Sequence, residues 1–222
     1  HYQFEGNWQL VNPSAERMVG RVVTAQFMPV RPDMNEMINR KGAEEGRVSK
    51  GQNSWVIDTL RPGDVLVVDM FGKIRDGTFA GDNLATAIYT KSKNGLIVNG
   101  SVRDVSGMQE IPGFRAFVKG VDPSAIKDVM MVGINVPIRI GETTILPGDV
   151  VVSDPEGLTF IPPHLAEKVA TTSENVQLRD KWGHQMLREG KYTPGQIDTQ
   201  WSEAMTKEFE ICAAQERAKR QR

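Results

Sequence analysis

The sequence predicts an α/β fold with a βαβ unit near its centre and an extended C-terminal helical region. Three observations predict it. Residues 64–100 read as a strand, a crossover helix and a second strand. Short apolar runs separated by Gly and Pro recur between residues 18 and 161. Past Pro163 the composition changes and two helical stretches follow, which divides the chain into an α/β part at 1–170 and a helical extension at 171–222.

The amino-terminal stretch His1–Ser14 is polar and aromatic and reads as an arm. Met18–Met28 is rich in β-branched residues and reads as a strand, ended by Pro29 and Pro32. Asp33–Asn53 is polar with no sustained period, hence a loop or a helical insertion. Trp55–Leu60 reads as a short helical turn before the breaker Arg61-Pro-Gly63. Asp64–Asp69 is an apolar run of strand length with polar ends, of the kind buried on both faces of a parallel sheet. Asp82–Lys93 begins on an acid and ends on bases, the order a helix dipole favours, and Asn94-Gly95 stops it. Leu96–Val98 is the second strand, closed by Asn99-Gly100. Further strands are expected at Ala116–Lys119, Pro137–Ile140, Asp149–Val152 and around Gly157–Ile161. Helices are expected at Pro163–Gly190 and Gln196–Arg222, split at Tyr192-Thr-Pro-Gly195. The basic tail with Arg217, Lys219, Arg220 and Arg222 reads as a solvated helix end.

Composition narrows the function classes. Lys and Arg number 27 against 28 Asp and Glu, so no global attraction to nucleic acid or acidic lipid is expected. One cysteine, Cys212, rules out an intrachain disulfide and a Cys-based zinc site. No apolar run reaches membrane-spanning length, and a soluble, cytoplasmic protein is expected.

A βαβ unit has a chemical consequence. In a right-handed crossover the loop before the helix and the loop after the second strand share the carboxyl edge of the sheet, where open α/β sheets bind ligands. Here those loops are Gly77–Leu84 and Asn99–Asp104. The first offers glycines and free helix-start amides; the second offers the Arg103 guanidinium beside the Asp104 carboxylate. Alone, an Arg-Asp pair is more often a structural salt bridge or a cap. With the glycine loop beside it, the pair makes an anion pocket with a place for a hard cation. Mg²⁺ suits a lone Asp104, because it accepts few protein carboxylates and fills its shell with water and substrate oxygens. Mn²⁺ or another divalent cation would serve in the same way. Zinc fits poorly, since His1, His164 and His184 are scattered.

Other residues read as structural. Asp58 and Asp69 are cap or strand-end residues, and Glu142 and Asp154-Pro-Glu156 mark turns. Trp182, Trp201 and Phe209 read as packing or subunit contacts, and Cys212 as a buried thiol. Lys73 is a low-ranking rival, as a Schiff-base lysine.

The segments Gly81-Asp-Asn-Leu-Ala-Thr-Ala87, Gly95-Leu-Ile-Val-Asn-Gly100 and Arg103-Asp104 together resemble the RraA-like family. Arg61-Pro-Gly-Asp64 and Pro147-Gly-Asp149 ahead of strands extend the likeness over about Met18–Ala170. The family includes divalent-metal 4-hydroxy-4-methyl-2-oxoglutarate / 4-carboxy-4-hydroxy-2-oxoadipate aldolases and ribonuclease E inhibitors. The resemblance implies a swivelling β/β/α fold assembled as a homotrimer or a pair of trimers. It implies that Asp104 holds the metal and that Arg103 binds the substrate carboxylate and keto oxygen. The amides of Gly81, Asp82, Asn83 and Leu84 would line the pocket, and Asp82 would orient a water. An acidic residue from the neighbouring subunit is also implied, with Glu174 as candidate. The activity implied is cleavage of a 4-hydroxy-2-oxo acid to pyruvate and a carbonyl product, with oxaloacetate decarboxylation on the side. The alternatives are a lyase for a 2-oxo acid derived from sugar acids and a non-catalytic binding protein that regulates a ribonuclease. The chain departs from the family pattern at Asn99, where Asp is frequent, in its longer 33–53 region and beyond Ala170.

Overall fold

The structure, a computed structural model, describes residues 8–13, 17–47, 51–154 and 156–220. Of the expected arm, His1–Asn7 and Ser14 lie outside the described residues, as do Pro155 of the expected 154–156 turn and Arg222 of the basic tail. The chain divides into two compact units, His1–Pro163 and His164–Arg222.

In the first unit the elements are β1 (Gln9–Val11), β2 (Val19–Pro29), α1 (Pro32–Glu44), α2 (Gln52–Asp58), β3 (Asp64–Ala80), α3 (Asp82–Ser92), β4 (Leu96–Val102) and α4 (Val105–Gln109). There follow β5 (Ala116–Val121), β6 (Val129–Ile134), β7 (Ile138–Ile140), β8 (Thr143–Ile145), β9 (Val150–Asp154) and β10 (Gly157–Ile161). The main sheet is mixed, in the order β1-β5-β4-β3-β2-β9-β10, with β6 also on β2 and β7–β8 as a separate hairpin. Its centre is parallel: β2 on β3 (Val23↔Leu66), β3 on β4 (Leu66↔Leu96) and β4 on β5 (Val98↔Val118). β2 shares its other edge between β9 at one end and β6 at the other, both antiparallel.

Both faces of the sheet are covered, which is why Val65-Leu-Val-Val68 is apolar without alternation. Leu66, Val68 and Met70 face a core that includes Trp55, Val56, Ala85 and Ile88 of the helices. Val65 and Val67 face a second core with Ile138, Ile145, Val151 and Leu158. Strand entry is set by two matching turns. At Arg61-Pro-Gly-Asp64, Gly63 takes φ +87° and Asp64 accepts from the Arg61 amide at 2.8 Å. At Pro147-Gly-Asp149, Gly148 takes φ +89° and Asp149 accepts from the Leu146 amide at 2.9 Å. Buried Asp64 also pairs with Arg21 of β2 at 2.7 Å, locking the two parallel strands at their amino ends.

The structure adds α4, β6 and β8 to the elements expected from the sequence, and it refines three others. Part of the arm is an edge strand, β1, paired to β5. Of the two readings of the 33–53 region, the helical insertion is the one its described residues adopt, with Pro32 opening α1. β3 is longer than expected because it leaves the ladder after Asp69↔Asn99 and rejoins fully at Ala80↔Val102, while β4 spends only Gly100 and Ser101 on that stretch.

In the second unit a 3₁₀ turn at Pro163–Leu165 leads to α5 (Ala166–Arg188), α6 (Pro194–Ile197) and α7 (Glu203–Arg220). Its core is Trp182, Met186 and Met205, flanked by Tyr192, Ile197, Trp201, Phe209 and half-buried Cys212. Trp182 lies 4.8 Å from Trp201 and 6.0 Å from Phe209, between ring centroids. Thr193 and Gln196 form a reciprocal capping box that starts α6. The helix expected from Gln196 is broken between α6 and α7, where the Trp201 indole donates back to the Ile197 carbonyl at 2.9 Å. Among the described residues no helix is long and apolar enough to cross a membrane.

Candidate active site

α3 carries the chain from the carboxyl end of β3 back to the amino end of β4, so Gly81 and Arg103 emerge side by side at one edge. The ladder holds to the last residue: the Arg103 amide donates to the Ala80 carbonyl at 3.1 Å. Gly81 then stands directly against the Arg103–Asp104 corner. A Cβ on Gly81 would overlap Asp104 Oδ2 and come within 3.3 Å of Arg103 Nε. Arg103 Nε and Asp104 Oδ2 are 3.3 Å apart, and both side chains are about half exposed, open to a ligand.

Gly81 is the N-cap of α3 and has no side chain to cap with. The first intrahelical bond runs from the Ala85 amide to the Gly81 carbonyl at 3.0 Å, which leaves the amides of residues 82–84 outside the helical ladder. Asp82 Oδ1 takes the Asn83 amide at 2.7 Å. The amides of Asp82 and Leu84 remain as donors for an external oxygen.

Asp104 sits at φ +55°, ψ 40°, a left-handed conformation that Asp tolerates better than most side chains. It is the N-cap of α4, yet its carboxylate makes no capping bond. Asp82 faces this same short helix: a Cβ on Gly107 would come within 2.7 Å of Asp82 Oδ2. Gly107 therefore borders the candidate site, a position the sequence reading missed. Its signal was a glycine three positions past Asp104, meaningless until α3 and α4 are known to touch.

Asn99 does not join the corner; its Nδ2 donates to Asp69 at 2.8 Å. Asp69 is 8% exposed and also accepts from the Phe71 amide at 2.9 Å, closing the turn where β3 leaves the ladder. Burial pushes the Asp69 carboxyl above its usual range, against the opposing pull of those two bonds and of Arg139. Lys73 pairs across from Gly100 on the excursion. Glu174 is exposed on α5 of the second unit. Among the described residues no three His, Cys, Asp or Glu side chains gather into a metal cage. The segment after β5 closes the rim, with the Asp122 amide on the Val102 carbonyl at 3.1 Å. Bonds from the Ser124 hydroxyl and amide hold the Asp122 carboxyl below its usual range and fix this turn.

A protein of Halalkalibacterium halodurans, provisionally named 4-hydroxy-4-methyl-2-oxoglutarate aldolase, is 33% identical over 138 residues, 61% of this chain and 65% of that protein. A 4-hydroxy-4-methyl-2-oxoglutarate aldolase of Thermus thermophilus is 32% identical over 108 residues, 48% of this chain and 64% of that protein. The chain thus spans just under two thirds of the length of these curated relatives. Among solved structures, Streptomyces coelicolor RraAS2, described as an unusual member of the RNase ES inhibitor RraA protein family, matches with a TM-score of 0.68 at 25% identity, covering 82% of this chain and 84% of that one. The profile of the family described as Aldolase/RraA matches residues 2–160. With that match and the Gly81–Arg103–Asp104 corner in place, the chain belongs to the RraA-like family.

Proposed function

We propose that the protein is a divalent-metal-dependent lyase that cleaves a 4-hydroxy-2-oxo acid to pyruvate and a carbonyl product. The observation that carries this reading is that a Cβ on Gly81 would meet both Asp104 Oδ2 and Arg103 Nε, which brings helix-start amides, a guanidinium and one carboxylate to one open rim. The aldolase names of the relatives support the reaction class.

The donor set fits a hard cation that keeps most of its water. Asp104 is a single, half-exposed carboxylate spent on no cap, which suits Mg²⁺ or Mn²⁺ and suits zinc poorly. A divalent ion bound there would supply Lewis-acid stabilisation of the negative charge that develops on the 2-oxo oxygen. The chain's own residues do the rest. Arg103 grips the 2-oxo acid through its carboxylate and keto oxygen. The amides of Asp82 and Leu84 hold a second oxygen in place. Asp82 holds the water that takes the proton from the C4 hydroxyl. The C3–C4 bond then breaks, C4 leaves as a carbonyl, and C3 takes up a proton as the pyruvate enolate becomes pyruvate. Loss of CO₂ from oxaloacetate gives the same enolate, so that decarboxylation is the expected side activity.

Pyruvate release from 4-hydroxy-2-oxo acids and oxaloacetate, with and without Mg²⁺, tests the proposal. Asp104→Ala and Arg103→Ala are expected to lower kcat/KM by about a thousandfold or more. EDTA should inhibit, and added Mg²⁺ or Mn²⁺ should restore turnover. Full activity in excess EDTA would end the metal reading. The likeness to RraAS2 favours a second reading, a regulatory complex with a ribonuclease. That complex would survive Arg103→Ala, whereas turnover would not.

A further inference from the structure

A cavity of about 290 Å³ is lined by Asn35 and Asn39 of α1, by Gln52 and Asn53 of α2, and by Lys127 and Asp128 of the segment before β6. It is tied to the rim by covalent geometry. Asn53 Nδ2 donates to the Phe79 carbonyl at 2.8 Å, and Phe79 is two residues before Gly81, a chain distance of about 7 Å. α2 packs on α3, and both helices run against the strands, so their starts share the carboxyl edge.

The orientation of three carboxamides follows from one backbone bond. The Met131 amide can only donate, and it donates to Gln52 Oε1 at 2.6 Å. Gln52 Nε2 is therefore the donor to Asn35 Oδ1 at 2.8 Å and to Asn39 Oδ1 at 2.9 Å. Both asparagines spend their oxygens on Gln52, and among the described residues neither Nδ2 has an acceptor. The cavity thus holds two NH₂ groups, the Lys127 ammonium and one carboxylate acceptor, Asp128, over the apolar side chains of Phe27, Ile126 and Val129. The Lys127 and Asp128 charges cancel, so the cavity carries no net charge to select an anion. Hydroxyl groups, which accept and donate at once, match this set, and the apolar floor suits the C–H face of a carbon chain.

We infer that this cavity receives the hydroxylated tail of the substrate, so that the 2-oxo acid is of the sugar-acid class, with hydroxyls beyond C4. The inference rests on the lyase reading and names its substrate class. A chain held by Arg103 at its carboxylate end has five C–C bonds of about 1.5 Å with which to reach toward Asn53.

The test compares kcat/KM for pyruvate release from 4,5,6-trihydroxy-2-oxohexanoate and from 4-hydroxy-2-oxopentanoate, which lacks the extra hydroxyls. Wild type should prefer the trihydroxy acid by roughly tenfold or more, the order of one net hydrogen bond. Asn35→Leu with Asn39→Leu should abolish that preference, with the change in KM. Absence of the preference in wild type, or its survival in the double variant, overturns the inference. Should the double variant fail to fold, Asn39→Leu alone, at an exposed position, is read in the same way. If neither acid yields pyruvate, the lyase reading has failed, and calorimetry with the uncharged polyol D-glucitol decides the cavity separately. Binding to wild type that is lost in the variant then upholds a polyol site, and no binding to wild type refutes it.

Discussion

Gly81 carries a constraint that backbone conformation does not impose. Its φ of −105° is open to any L-residue, so only the space its hydrogen leaves for Asp104 and Arg103 requires glycine. Gly81→Ala should therefore fold with a Tm within about 2 °C of wild type yet lose about a hundredfold or more in kcat/KM, because the methyl group displaces the Asp104 carboxylate. A variant that melts far below wild type, or one that keeps its turnover, would contradict this. Asp69 offers a pH test that leaves the rim alone. Its carboxyl is raised from the ordinary 3.8 by burial, so the fold favours the protonated form. The stability it contributes is complete below the unfolded value and is lost as pH rises through the higher folded value. Asp69→Asn keeps an oxygen for Asn99 and the Phe71 amide and cannot ionise. Thermal unfolding should show the variant gaining on wild type as pH rises from about 3 toward neutrality, in the window above that ordinary carboxylate value. A gain that grows on acidification would refute the assignment.

At the scale of elements, α1 and α2 show packing overriding propensity. Gly42 is buried in α1 where Ala would be better for the helix by roughly 1 kcal/mol. A Cβ there would fall against the Trp55 ring of α2, 2.8 Å from Cζ2, and Arg47 lies 5.4 Å over the same ring. Overpacking of this kind costs about 1–3 kcal/mol, so Gly42→Ala should lower the Tm rather than raise it. A rise would mean that Trp55 moves aside freely. These helices also show what the sequence could tell and what it could not. β3, α3 and β4 were legible because an apolar strand-length run, an acid-to-base helix and an Asn-Gly stop are each local signals. Their handed connection then placed Gly81 beside Arg103. The departure of β3 after Asp69 was not legible. It turns on φ +45° at Phe71 and +58° at Asp76, and a bulky Phe advertises no left-handed turn. The break between α6 and α7 was equally hidden, because Trp201 turns back onto Ile197 through a single indole bond. The carboxamide cluster depended on a bond from Met131, far along the chain, that no spacing encodes.

At the scale of the whole molecule, the rim depends on a sheet packed on both faces. Helices cover one face, and the β7–β8 hairpin packs on the other together with inward side chains of the sheet's own β9 and β10, so adjacent residues of β3 enter different cores: Leu66 the helical one, Val67 the β one, each 0% exposed. An open second face would leave Val67 half solvated and would let β3 and β4 slide or twist, taking Ala80 and Val102 out of register just where Gly81 and Arg103 must meet. The chain has two compact units, and native-state hydrogen exchange of the β3 and β4 amides reads the first unit alone. Leu66→Ala should lower protection there by about 2–5 kcal/mol, and Val67→Ala by about 2–3 kcal/mol. The comparison between them is the informative result. Loss at both positions requires two cores sharing one sheet, whereas loss at Leu66 with little at Val67 would show that the β layer does not bear on the strands that hold the site.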